Sequence, residues 1–167
     1  ELHELCNGNN PTLAEITDIL AQDGYYPLHD LCRNEKITAE VLSAFLERAP
    51  GAANEKNKYG CYPLHLLCRD NENITAEVLS ALLERAPGAA NETDFEGKYP
   101  LYYLSKNKNS TLKMRSILEA ASPFHALCGV DYITAEVLSA LLGRAPGAAK
   151  EKDKNGSYPR HILCRSE

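Results

Sequence analysis

Hydrophobic positions fall in the same order three times along this chain. Between Thr38 and Ala49, the apolar residues Val41, Leu42, Phe45, Leu46 and Ala49 are separated by one or by three to four positions, with Glu40, Ser43 and Glu47 between them. On a helix that spacing draws one apolar stripe, with the polar residues on the opposite side. Thr38, Thr75 and Thr134 stand where a side-chain oxygen can cap the first turn of such a helix. Glu40, Glu77 and Glu136 in that first turn, and Arg48, Arg85 and Arg144 in the last, complement the helix dipole. Pro50, Pro87 and Pro146 then stop it.

A shorter helix precedes each of these. Pro27, Pro63, Pro100 and Pro159 suit a first helical position, where no amide donor is needed, and the apolar residues that follow, such as Leu64, Leu67 and Cys68, share a face. After the second helix comes a polar stretch with a glycine in register: "NEKNKYGC" from Asn54, "NETDFEGK" from Asn91 and "KEKDKNGS" from Lys150. These read as projecting hairpins or fingers. The copying is close, since "KITAEVLSAFLERAPGAANE" (Lys36–Glu55) returns as "NITAEVLSALLERAPGAANE" (Asn73–Glu92) and "YITAEVLSALLGRAPGAAKE" (Tyr132–Glu151). A fixed order at a regular period means stacked supersecondary units, and stacking is what buries a stripe that one helix pair leaves exposed. The expected units run over about 1–25, 26–61, 62–98, 99–122 and 123–157, with a partial unit at 158–167; because both ends fall inside a unit, the chain reads as a fragment of something longer.

Composition changes this picture little and narrows the function. The 167 residues, 44% hydrophobic and 25% charged, suffice for one domain with a core. A formal net charge of -5, without a basic stripe, disfavours a nucleic-acid surface. Apolar runs are too short for a membrane span or a secretory leader, so no direct membrane insertion is expected. Of the six cysteines, Cys6, Cys32, Cys68, Cys128 and Cys164 occupy one repeated position and Cys61 lies elsewhere. Stacked equivalents sit about 8–10 Å apart, beyond the reach of about 7 Å that a disulfide needs. Free thiols follow, and with them an intracellular location, the cytoplasm or an organelle interior. The Asn-x-Ser/Thr matches at Asn73, Asn91 and Asn109 are then accidental.

Taken together these phrases resemble the ankyrin repeat family. "YGCYPLHLLC" (Tyr59–Cys68) is similar to its Gly-x-Thr-Pro-Leu-His-x-Ala-Ala, and "AEVLSALLERAPGAANETD" (Ala76–Asp94) to its second helix and the loop into the next turn. The resemblance covers essentially the whole chain. It implies an all-α solenoid of stacked antiparallel helix pairs with β-hairpin fingers at right angles, about five repeats plus a partial one, and protein binding as the activity. The chain departs from the family in three ways. Tyr26, Tyr62, Tyr99 and Tyr158 replace the family threonine, which puts its local bond to the histidine in doubt; the units are longer than the usual 33 or so residues. The intervals from His3 to His29 and from Tyr102 to His125 are short, and no finger separates Ser122 from Pro123.

The phrase His-x-x-Cys, at His3, His29, His65, His125 and His161, places two zinc-type or nucleophilic side chains on one helix face. Two ligands per unit leave every site half-coordinated, and the fourth unit substitutes Tyr102 and Ser105. The favoured reading is structural: cysteine fills the slot where the family carries alanine, and histidine pins adjacent turns through backbone carbonyls. No Gly-x-Gly-x-x-Gly or Walker phrase is present, and no cofactor, metal or catalytic residue is expected. Function is instead sought where the copies differ. Asp30, Leu66, Tyr103 and Ala126 follow the histidine position, and Tyr59, Cys61, Phe95 and Lys98 lie in the fingers; the resemblance places all eight together on a concave protein-binding face. The first expectation is therefore a non-enzymatic scaffold for a partner protein, the second a structural or linker subunit of a larger assembly, and the third a metal or thiol-redox module.

Overall fold

The computed structural model describes residues 26–122, 124–128, 130, 142–143, 147–152, 156 and 158–159. The units expected at 1–25 and most of the two expected after 123, with Thr134, Arg144 and Pro146, lie outside them. The described helices are α1 (Pro27–Arg33), α2 (Ala39–Arg48), α3 (Pro63–Asp70), α4 (Ala76–Arg85), α5 (Pro100–Lys106), α6 (Leu112–Ala121) and α7 (Phe124–Cys128), with short 3-10 turns at Ala52–Asn54, Pro87–Asn91 and Ala148–Lys150.

Each boundary has a local cause. Proline opens α1, α3 and α5 at the first helical position. Thr38, Thr75 and Thr111 cap α2, α4 and α6, their side chains accepting the amides of Val41, Val78 and Met114. After α4 the chain tightens into the 3-10 turn at Pro87, because proline cannot supply the next helical amide. Past α6 only Ser122 and Pro123 intervene before α7 begins, so the expected missing finger is a direct helix-to-helix passage.

The helices pack in two rows. First helices stack as α1 on α3 on α5, and second helices as α2 on α4 on α6. One core runs between the rows: Leu28, Leu64 and Leu101 repeat in the first helices, and Phe45, Leu82 and Leu118 in the second, all essentially without solvent contact. No helix among the described residues is long and apolar enough to cross a membrane.

The expected β-hairpin fingers are not found, since the described residues contain no β-strand. Turns occupy their place, and the reason is local. Asn57 Oδ1 accepts the amides of Tyr59 and Cys61 at 2.9 and 3.1 Å, and Asp94 Oδ1 accepts those of Glu96 and Lys98 at 2.9 and 3.0 Å. Amides bound to a side chain of their own turn cannot join a ladder. Each turn is closed by a glycine in the left-handed region, Gly60 at φ 74° and Gly97 at φ 76°. At Gly60 a second constraint applies, because a Cβ there would meet the Phe95 ring at 2.5 Å.

A polar thread follows the seam between units. Asn71 is fully buried; its Nδ2 donates to the carbonyls of Cys32 and Asn34 at 3.2 and 2.8 Å, and its Oδ1 accepts the Asn73 amide at 2.9 Å. Asn107 repeats this one unit on, donating to the Cys68 and Asn71 carbonyls at 3.2 and 2.9 Å. These asparagines satisfy carbonyls that the end of the preceding first helix leaves without an intrahelical donor.

Candidate functional site

The His-x-x-Cys rows are part of the packing. Cys32 and Cys68 are completely buried, and burial pushes both thiols far above the ordinary range, away from the thiolate that chemistry needs. Cys32, Cys61, Cys68 and Cys128 are free. His29 Nε2 lies 2.9 Å from the Cys61 carbonyl. Because a carbonyl only accepts, this nitrogen carries the proton, and His29 ties α1 to the turn that closes its unit. In His65 the Nδ1 accepts the Tyr62 backbone amide at 3.1 Å, which leaves the proton on Nε2. So the histidine closes the first turn of its helix through the backbone amide of Tyr62. Among the described residues no three His, Cys, Asp or Glu side chains gather as a metal site would require.

Burial of His65, which outweighs the nearby Asp94 charge and the Lys98 and Glu92 carbonyls, holds its pKa down at about 4. The sign follows directly. Above pH 6.5 or so the imidazole is neutral in both states; as pH falls, the unfolded chain takes up a proton that the folded chain refuses until about 4. Stability is therefore lost between those values, by about 2 kcal/mol from pH 7 to pH 5 for this one group. Urea midpoints at the two pH values should show it, and His65→Gln should lose about 2 kcal/mol less over the same interval. Equal losses in both proteins would remove His65 as the cause.

Beyond this row a cleft of about 400 Å³ opens between α1 and the turn at Asn57–Tyr59. Tyr26 and Tyr59 wall it, Leu66 and His29 lie at its lining, and Asp30, Arg33, Asn57 and Lys58 supply its polar groups. Three of the sequence-predicted residues, Asp30, Tyr59 and Leu66, thus meet at one place. Asp30 is half-buried, 3.7 Å from Arg33, which also holds Asp70 at 3.1 Å. A second group forms one unit on. Tyr103 donates its hydroxyl to Asp94, its ring meets His65 edge-on at 6.3 Å, and Arg69 lies over that ring at 5.4 Å. Lys98 sits 4.2 Å over the Tyr102 ring, and Phe95, 78% exposed, projects from the turn.

Three of the predicted contact residues, the cleft-lining Leu66 among them, are nearly without solvent exposure. Cys61 is 1% exposed, because it closes its turn inward: its carbonyl meets His29 and its thiol faces Asp94 at 3.9 Å. Leu66 is 4% exposed, since α3 lies between α1 and α5 and the side chain reaches the floor between them. Ala126 is 2% exposed on α7, which packs against α5. Variation between copies marked these positions, and it marks buried sites as readily as exposed ones when neighbours vary with them. What the sequence reading missed is Asn57, Asp94 and the asparagines at 71 and 107. The signal for the two asparagines is "NEKIT", "NENIT" and "NKNST", an Asn four residues before Thr38, Thr75 and Thr111, and that for Asn57 and Asp94 is "NKYG" and "DFEG", an Asn or Asp three residues before the turn glycine.

No family model and no curated protein matches this chain.

Proposed function

We propose that this chain is a divergent ankyrin-type repeat array that recognises a partner protein without chemistry, through the first-helix and turn side of the stack. The observation that carries the reading is the convergence of Asp30, Tyr59 and Leu66 on one open cleft, mounted on two packed helix rows. An apolar floor between tyrosine walls, with an acid and a lysine at the rim, is the make-up of a hot-spot pocket for a protein side chain. Helix pairs that begin at proline, second helices capped by threonine and a histidine bond from the first helix to the turn that closes its unit all support the repeat-array reading. The buried free thiols support an intracellular setting and weigh against the thiol-redox alternative.

The test is capture of bound proteins from the native source with crosslinks mapped to residues. Crosslinks should gather around the Tyr26–Tyr59 cleft and the turns, and Tyr59→Ala should weaken capture about tenfold while leaving the unfolding midpoint in place. Crosslinks gathered on the outward side of α2 and α4, at Glu47 and Glu84, would overturn the assignment.

A further inference from the structure

The charged groups on the recognition side are of two kinds. The guanidinium groups of the first helices are compensated from within: Arg33 lies against Asp30 and Asp70, and Arg69 holds Asp70 through contacts of 2.8 and 3.1 Å. At the turns Lys56 pairs with Glu92 at 3.2 Å, but Lys58 and Lys98 have no such partner. Lys58 lies 5.1 Å over the Tyr59 ring and Lys98 4.2 Å over the Tyr102 ring, and no carboxylate of the described residues forms an ion pair with either. A ring face is a weak counter-charge at an exposed site, so these lysines keep most of their charge for an incoming anion. The same two turns expose Phe95, at 78%, and Tyr59, at 60%. The two turn tips are held to one another, since the Phe95 amide donates to the Tyr59 carbonyl at 3.2 Å. The result is a preorganised edge that carries two cations and two exposed rings on a chain whose formal net charge is -5.

We infer that this edge docks an extended acidic segment of the partner protein, one that carries an apolar or aromatic side chain between its acids. The inference rests on the protein-binding reading above. Carboxylates of the segment pair with Lys58 and Lys98; its apolar side chain is buried against Tyr59 and Phe95, whose rings lose exposure at little entropic cost because the turns are already fixed. Glu96, exposed on the second turn, repels an acid placed beside it, so the complement is two acids at the lysines and not a uniformly acidic run.

A random-sequence peptide display library panned on the full chain tests this. Enriched peptides should carry an excess of Asp and Glu flanking Phe, Tyr or Leu. A synthetic copy of one enriched peptide, followed by fluorescence anisotropy, should bind about tenfold more weakly to the Lys58→Ala, Lys98→Ala double variant, and the wild-type affinity should fall as salt rises. The double variant should keep the parent's unfolding midpoint, because neither lysine packs in the core. Absence of enrichment, enriched peptides without an acidic excess, or unchanged affinity in the double variant would each overturn the inference. So would tighter binding of a single-stranded oligonucleotide or of phosphatidylserine vesicles through the same lysines. Crosslinks to a captured protein in the Tyr26–Tyr59 cleft, together with any of those results, would leave protein recognition standing and remove only the acidic segment.

Discussion

Replacing Leu82 by alanine is expected to lower the stability of the chain by about 2–5 kcal/mol, read as a shift of the urea midpoint at constant slope. Leu82 sits on α4, the middle helix of the second row, and is essentially without solvent contact. The α4 helix packs on α2 on one side and on α6 on the other, so a cavity there loosens two unit-to-unit contacts at once. Stacked units fold because each covers the stripe of the next. Asp30→Ala is the control. The Arg33 guanidinium it abandons remains 3.1 Å from Asp70, so the change should stay within about 0.5 kcal/mol. Comparable losses for the two variants would contradict the division into seam and surface.

The second large effect is expected at Asn71. Its alanine variant loses three hydrogen bonds and strands the Cys32 carbonyl in a place that water does not reach, while the Asn34 carbonyl keeps the Ile37 amide at 3.1 Å; the change should cost about 2–3 kcal/mol. Asn71→Asp separates hydrogen bonding from volume. The aspartate has the same shape but at neutral pH has no donor, and it sets a charge against two carbonyl oxygens. Its pKa is thereby raised in the folded state, so the penalty at pH 7 should match or exceed that of alanine and shrink as pH falls and the carboxyl regains a proton to donate. Denaturant midpoints for both variants at pH 7 and pH 5, each against the parent at the same pH, check this. An aspartate variant as stable as the parent at pH 7 would show that the bonds at 3.2 and 2.8 Å do not hold adjacent units together.

Much of this was legible beforehand. The proline starts, the threonine caps and the stripe along Val41, Leu42, Phe45 and Leu46 state their helices within a dozen residues, and the structure places α2 and α4 where they say. The turns were legible as turns, but not in kind. Polar residues with a glycine fit a hairpin and an Asx-type turn equally well, and only the amides bound at Asn57 and Asp94 distinguish them. The site was legible in part. Tyr59 and Phe95 are exposed as expected, whereas Cys61, Leu66 and Ala126 are buried, because exposure depends on which neighbours lie above a residue and that is a property of the stack.

By itself, then, the sequence determined the period, the two helices in each unit and the residues that start and stop them, since those follow from contacts within one or two turns of chain. Tertiary structure decided what joins elements far apart along the chain: the histidine that reaches the Cys61 carbonyl, the asparagines that serve the helix before them, and the cleft shared by α1 and the following turn. Such features join residues about one repeat apart, and their energy exists only once two neighbours have docked.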